Sequence, residues 1–192
     1  TEANGHFPDH APDPSQEAHL QLLKAKVLET RADLGIALDG DGDRLVLIDA
    51  DGQVITADQL LCLCAEICLK DTVDKEFVFD VKCSTLVRNT VQALGATPVM
   101  IRTGSSFLRK YLANSQGQAI FGGEYAGHYV FNDGRGGGYD DGVYAALRVM
   151  EYLDQTGQTL AEALARYPKR TGTEDLYVST HQIKPLELLD FV

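Results

Sequence analysis

The sequence predicts a layered α/β domain, and three observations carry that expectation. From Thr56 onwards, short apolar runs alternate with longer segments of helical periodicity. Strands separated by helices pair in parallel through crossovers, which puts helices on the faces of a sheet. Capping signals open several of the helices, and glycines close helices and strands. The 192 residues suffice for one large domain or pieces of two, at roughly 100 to 200 residues per domain.

The elements follow in order. The first fifteen residues, with Pro8, Pro12 and Pro14, predict an extended loop. A helix is expected from Ser15 or Gln16 to about Thr30, carrying Leu20, Leu23, Val27 and Leu28 at helical spacing. Two apolar runs, Leu34 to Leu38 and Leu45 to Asp49, are joined by an acidic glycine loop and closed by the turn Asp51-Gly52, a strand, loop, strand unit. Thr56 with Gln59 three residues on is a capping-box signature for a helix over Ala57 to Leu69. Phe77 to Val81 predicts a buried strand, Ser84 to Leu94 a helix stopped by Gly95, and Thr97 to Ile101 a second strand. Ser105 to Leu112 predicts a helix, and Gln118 to Phe121 a third strand ending in Gly122-Gly123. After a glycine-rich stretch, Asp140 or Asp141 caps a helix to about Leu153, and Thr159 with Glu162 caps another to Arg166. From Tyr167 to Val192 the chain turns polar and reads as a linker. That tail and an opening residue other than Met lead to the expectation of a fragment.

Composition excludes several classes. Hydrophobic residues make up 44% and charged residues 23%, the balance of a globular chain rather than a disordered or membrane one. No run approaches the ~20 apolar residues of a membrane helix, and the polar, Pro-rich start is unlike a signal peptide, so the expected location is the cytoplasm. A net charge of -11 repels nucleic acid and anionic membranes. Cys62, Cys64, Cys68 and Cys83 lack framework spacing and are expected as reduced, buried thiols.

The run Asp39-Gly40-Asp41-Gly42-Asp43-Arg44 carries the strongest chemistry. Glycines between alternate aspartates let the backbone curl so that three carboxylates can face one point. Such hard oxygen donors suit magnesium, calcium or manganese rather than zinc. A calcium EF-hand is excluded, because its sixth and twelfth positions hold Arg44 and Ala50 and strands flank the loop. A solvated hairpin turn would have no reason to gather three repelling carboxylates. Arg44 beside a metal fits an additional anion, since guanidinium matches phosphate geometry.

Further candidates sit where predicted strands end, the place α/β sheets collect ligands. Glu124 and His128, in Gly123-Glu124-Tyr125-Ala126-Gly127-His128, can both hydrogen-bond to vicinal sugar hydroxyls. Lys82 follows the strand Phe77 to Val81, and Arg102-Thr103-Gly104-Ser105-Ser106 opens a helix whose N-terminus favours an anion. Taken singly, each is also what a solvated loop histidine, a surface lysine or an ordinary helix cap would look like.

Taken together, the chain resembles the α-D-phosphohexomutase superfamily, and within it the bacterial phosphomannomutase/phosphoglucomutase group. The matching pieces are Phe7-Pro8-Asp9, Asp13-Pro14, Asp39 to Arg44, Asp80-Val81-Lys82-Cys83-Ser84, Arg102-Thr103-Gly104, Gly123 to His128 and Asp140-Asp141-Gly142, in family order. The resemblance implies a layered mixed-sheet domain of the third-domain type at 55–166, preceded at 1–54 by the C-terminal part of a similar second domain, with 167–192 a linker. It implies Mg2+ on Asp39, Asp41 and Asp43; phosphoryl or sugar contacts from Arg44 and Lys82, the expected catalytic residues; and hexose held by Glu124, His128, Gly104 and Ser105.

The implied reaction interconverts 1-phospho and 6-phospho forms of mannose and glucose through a phosphoserine and a hexose 1,6-bisphosphate. No Ser-His-Asn-Pro segment and no Arg-x-Ser-x-Thr-Glu-Pro segment occurs in the chain, so the fragment alone is expected to be inactive. Ala126 stands where many relatives have serine and Ser105 where histidine is frequent, which bears on sugar preference. Phosphoglucosamine mutase, or a non-catalytic module binding metal and sugar phosphate, is the alternative expectation. An aspartate-nucleophile phosphatase would leave Asp43 and the hairpin without a role.

Overall fold

A computed structural model describes residues 4–69, 72 and 74–169; the expected linker beyond Lys169 lies outside the described residues. A 3-10 turn, Glu17–Leu20, runs into helix α1, Gln21–Thr30, in place of one continuous helix. Arg31 at φ 54 closes α1 in the left-handed region. Strands β1, Leu34–Leu38, and β2, Leu45–Asp49, form the expected antiparallel hairpin. Gly35 sits under α1, where a Cβ would stand 2.7 Å from Val27.

Helix α2 spans Ala57–Leu69, with Gln59 N and Thr56 Oγ1 3.4 Å apart at its start. Strand β3, Glu76–Asp80, helix α3, Thr85–Ala93, strand β4, Thr97–Ile101, helix α4, Ser105–Asn114, and strand β5, Ala119–Gly123, then alternate. Helix α5, Gly142–Thr156, is capped by Asp141, and helix α6, Leu160–Leu164, carries the Thr159/Glu162 capping box. Gly95 at φ 79 and Gly157 at φ 65 turn the chain after α3 and α5 through a region closed to most side chains.

The sheet runs β4-β3-β5-β6, with β3, β4 and β5 parallel and β6, Tyr129–Phe131, antiparallel to β5. The glycine-rich stretch had concealed β6, whose three residues are too few to show a period. Side chains alternate across the sheet. Phe77 and Phe79 enter the larger core beneath α2, α3, α5 and α6, while Val78 joins Leu108, Leu112, Ala119 and Val130 under α4. Phe77 stacks on Phe121 at 4.6 Å and Phe131 meets Phe121 edge-on at 4.9 Å. Strand β5 ends in Gly122 and Gly123 as expected, and the packing leaves no room there for a side chain. A Cβ on Gly122 would stand 2.5 Å from Leu108, and one on Gly123 2.2 Å from Leu61.

The β1–β2 hairpin is part of the same packed unit. Leu45 and Leu47 belong to the larger core, and Leu45 N–H donates to the Gly127 carbonyl at 3.0 Å. Tyr167, expected as the first linker residue, is buried in that core and its hydroxyl donates to Glu66 at 2.6 Å. Among the described residues no helix is long and apolar enough to cross a membrane.

Candidate functional site

Parallel strands β3, β4 and β5 end on one side of the sheet, so the loops that follow them gather at one edge. The first loop carries Lys82, which is exposed; the second carries Gly104 and Ser105; the third carries Glu124 to His128. The acidic hairpin loop arrives at the same place from β1. Arg44 and His128 form an isolated antiparallel bridge, and Gly142 N–H donates to the Gly42 carbonyl at 3.0 Å. The start of α5 thereby touches the backbone of the acidic loop.

Within that loop, Asp39 holds the fold as well as facing its neighbours. Its Oδ1 accepts N–H bonds from Gly42 and Arg44 at 3.1 Å each, and its Oδ2 accepts Arg44 Nε at 2.8 Å. Burial opposes the charged form of Asp39, yet these bonds outweigh it and hold the carboxyl below its ordinary range. Asp43 goes the other way. Burial pushes it up, His128 opposes the rise, and the charges of Asp39, Asp41 and Asp140 add to it.

The carboxylate oxygens of Asp39, Asp41 and Asp43 lie within 4.8 Å of one another. An all-oxygen donor set of like charges gathered this closely fits a hard divalent cation. The guanidinium expected to face an anion is partly committed to protein: Arg44 Nη1 also donates to Asp13 at 3.2 Å.

Glu124 is 1% exposed and accepts the Gly104 N–H, which fastens its loop to the N-terminus of α4. Burial raises its carboxyl, the Gly104 bond and His128 oppose the rise, and Asp80 and Asp140 add to it. Gly104 needs its φ of 132 to make that approach. His128 Nδ1 stands 3.1 Å from Asp140 Oδ2 and 3.6 Å from Asp43 Oδ2, while Asp140 Oδ1 accepts Arg109 Nη1 at 2.7 Å. The imidazole therefore lies between the Glu124 loop's own backbone and the carboxylates of Asp43 and Asp140.

Three residues of this site were missed as site residues. Asp140 and Asp13 stood in recognisable motifs, but only the folded chain brings them to His128 and Arg44. Asp80 accepts Thr103 Oγ1 at 2.9 Å, Tyr125 N–H at 3.1 Å and Cys83 Sγ at 3.0 Å. Asp80 too stood in a motif, Asp80-Val81-Lys82-Cys83-Ser84, but nothing in the sequence showed that one carboxylate would meet three loops. Arg102 instead lays its guanidinium 3.4 Å from the Phe107 ring centroid, in a separate cleft of about 550 Å³ also lined by Lys110 and Tyr111.

A mixed sheet flanked by helices, whose C-terminal edge bears an acidic loop fitted to a hard cation and joined to a Glu-His loop, makes an α/β/α domain with a candidate metal site. Residues 56–170 match the phosphoglucomutase/phosphomannomutase α/β/α domain III, and residues 1–52 match domain II. The chain belongs to the phosphoglucomutase/phosphomannomutase family.

A Pseudomonas syringae phosphomannomutase/phosphoglucomutase is 36% identical over 98% of this chain and 40% of its own length. A Neisseria gonorrhoeae phosphoglucomutase is 36% identical over 93% of this chain and 38% of its own. The crystal structure of a Burkholderia thailandensis family protein superposes with a TM-score of 0.83 at 37% identity, over 90% of this chain and 37% of that one. The chain thus spans about 40% of the length of the curated relatives it matches.

Proposed function

We propose that this chain forms one wall of the cleft of a phosphohexomutase that interconverts 1-phospho and 6-phospho forms of mannose and glucose, through a phosphoserine and a hexose 1,6-bisphosphate. The observation that carries the proposal is the Arg44–His128 bridge with the 3.6 Å approach of His128 to Asp43, which sets a cation loop beside a hydroxyl-reading loop. The names of the similar Pseudomonas and Neisseria proteins support it. In this reading 1–54 is the end of a second domain and 55–166, with the buried Tyr167, is a third domain followed by a linker.

Asp39, Asp41 and Asp43 would hold Mg2+, which would neutralise charge developing on a transferring phosphoryl group. Asp39 reaches it already oriented by Arg44 and the loop amides. Lys82 and the remaining N–H groups of Arg44 supply positive charge to phosphate oxygens. Glu124, with one oxygen fixed by Gly104, offers the other to a sugar hydroxyl, and His128 offers its ring. Gly104 and Ser105 bring the α4 N-terminus to the same ligand.

The complete product of the gene encoding this chain is assayed with glucose 1-phosphate, mannose 1-phosphate and glucosamine 1-phosphate, with and without Mg2+. Conversion of the first two, abolished by Asp41→Asn, is the expected result. Preference for the glucosamine ester would shift the assignment to phosphoglucosamine mutase. Equal failure with all three overturns the proposal.

A further inference from the structure

Asp80 is fully buried at the C-terminal end of β3, the strand flanked by β4 and β5. A charged carboxylate in that position needs strong partners to offset desolvation. Its partners come from three different loops. Oδ1 accepts the Cys83 thiol from the loop after β3 and the Tyr125 N–H from the loop after β5, and Oδ2 accepts the Thr103 hydroxyl from the loop after β4. Each of those loops carries a candidate ligand-binding residue next to the bonded one: Lys82 beside Cys83, Gly104 beside Thr103, and Glu124 beside Tyr125.

We propose that Asp80 is a positioning residue that sets the mutual register of Lys82, Gly104 and Glu124, so that the three loops receive one phosphosugar together; this rests on the function proposed above. Among the described residues no backbone–backbone hydrogen bond joins these three loops to one another. One buried anion whose two oxygens accept from all three supplies the tie, and its bonds are charge-assisted and therefore directional. Glu124 adds a second tie through Gly104, but only between two of the loops. The acidic loop has ties of its own, Asp39 to Arg44 and Gly42 to Gly142, so removing the Thr103 hydroxyl, on the loop after β4, should leave cation binding intact.

The test uses the complete gene product. Asp80→Asn exchanges one acceptor oxygen for a donor, and since it risks unfolding the protein, Thr103→Val is made beside it, with Thr103→Ser restoring the hydroxyl. Affinities for glucose 1,6-bisphosphate and for Mg2+ alone, the thermal midpoint, and hydrogen exchange at the Tyr125 amide are measured for each. Thr103→Val is expected to weaken bisphosphate binding roughly fivefold, the share of a charged hydrogen bond left at a partly solvated donor. Tyr125 exchange should speed up, Mg2+ affinity and midpoint should hold, and Thr103→Ser should recover both losses. Unchanged bisphosphate affinity in Thr103→Val overturns the proposal alone. So does a loss without faster Tyr125 exchange, because Thr103 would then touch the ligand directly. A parallel fall in midpoint and Mg2+ affinity also overturns it by showing a general structural role. Wild-type protein that binds no hexose phosphate overturns the function and this proposal with it.

Discussion

Arg44 and His128 face each other across an isolated antiparallel bridge, so the residue that ends the acidic loop is fixed to the residue that ends the Glu124 loop. Two segments more than 80 positions apart in sequence thereby share one rigid backbone contact, reinforced by the Leu45–Gly127 hydrogen bond at 3.0 Å. On the function proposed above, metal binding and sugar recognition should respond together when that contact is disturbed.

The three aspartates should not behave alike. Asp41 is exposed and makes no hydrogen bond among the described residues, so Asp41→Asn should weaken Mg2+ binding at least about tenfold without lowering the thermal midpoint. Asp39 accepts three hydrogen bonds, so Asp39→Asn should in addition cost about 1–3 kcal/mol of stability. Calorimetric Mg2+ titration and denaturant unfolding separate the two effects, and equal destabilisation by both variants would contradict the geometry.

Gly142 tests how closely α5 must approach the acidic loop. A Cβ there would stand 2.8 Å from the Arg44 carbonyl and 2.9 Å from that of Gly42, both backbone atoms that cannot rotate away. Gly142→Ala should destabilise the protein by about 1–3 kcal/mol through overpacking and weaken Mg2+ binding at the same time. Retention of wild-type Mg2+ affinity in this variant would show that the loop can move without losing its function.

Acid sensitivity should trace in part to Asp133. Burial opposes its ionisation, but the Arg148 guanidinium at 2.8 Å and the Gly136 and Arg135 amides prevail and hold its carboxyl below the ordinary value. A depressed carboxyl stabilises fully above its unfolded-state pKa, and the contribution disappears as pH falls through the folded value. Asp133→Asn should therefore flatten the loss of stability below about pH 4, measured by urea unfolding across pH. Arg148→Met leaves a largely buried carboxylate unpaired and should cost about 3–5 kcal/mol at neutral pH.

Thiol reactivity should be low in the native state. Burial pushes the Cys62 thiol up to about 11 and raises Cys64, Cys68 and Cys83 as well. At pH 8 a thiol-exchange reagent should label the native protein slowly and all four cysteines promptly in denaturant. Fast labelling of Cys62, Cys64 or Cys68 without denaturant would contradict the packing of α2 against the sheet.

The sequence by itself determined most of the elements. Leu34 to Leu38, Leu45 to Asp49, Ala57 to Leu69 and Thr97 to Ile101 have the bounds their periodicity and caps predict, because local apolar spacing and Ser, Thr or Asp caps act within a few residues. It also marked the acidic loop and the Glu124 to His128 loop, since glycine-spaced carboxylates and a strand-end Glu-His pair are legible without a fold. Only the tertiary structure decided which groups meet. Strand β6 exists because β5 offers it an edge, Arg44 turns to Asp39 and Asp13, Asp140 reaches His128 from the segment before α5, and Asp80 joins three loops that no short-range pattern connects. Hydrogen bonds depend on angstrom-scale approach between segments dozens of residues apart, and that information resides in the packing of helices on the sheet.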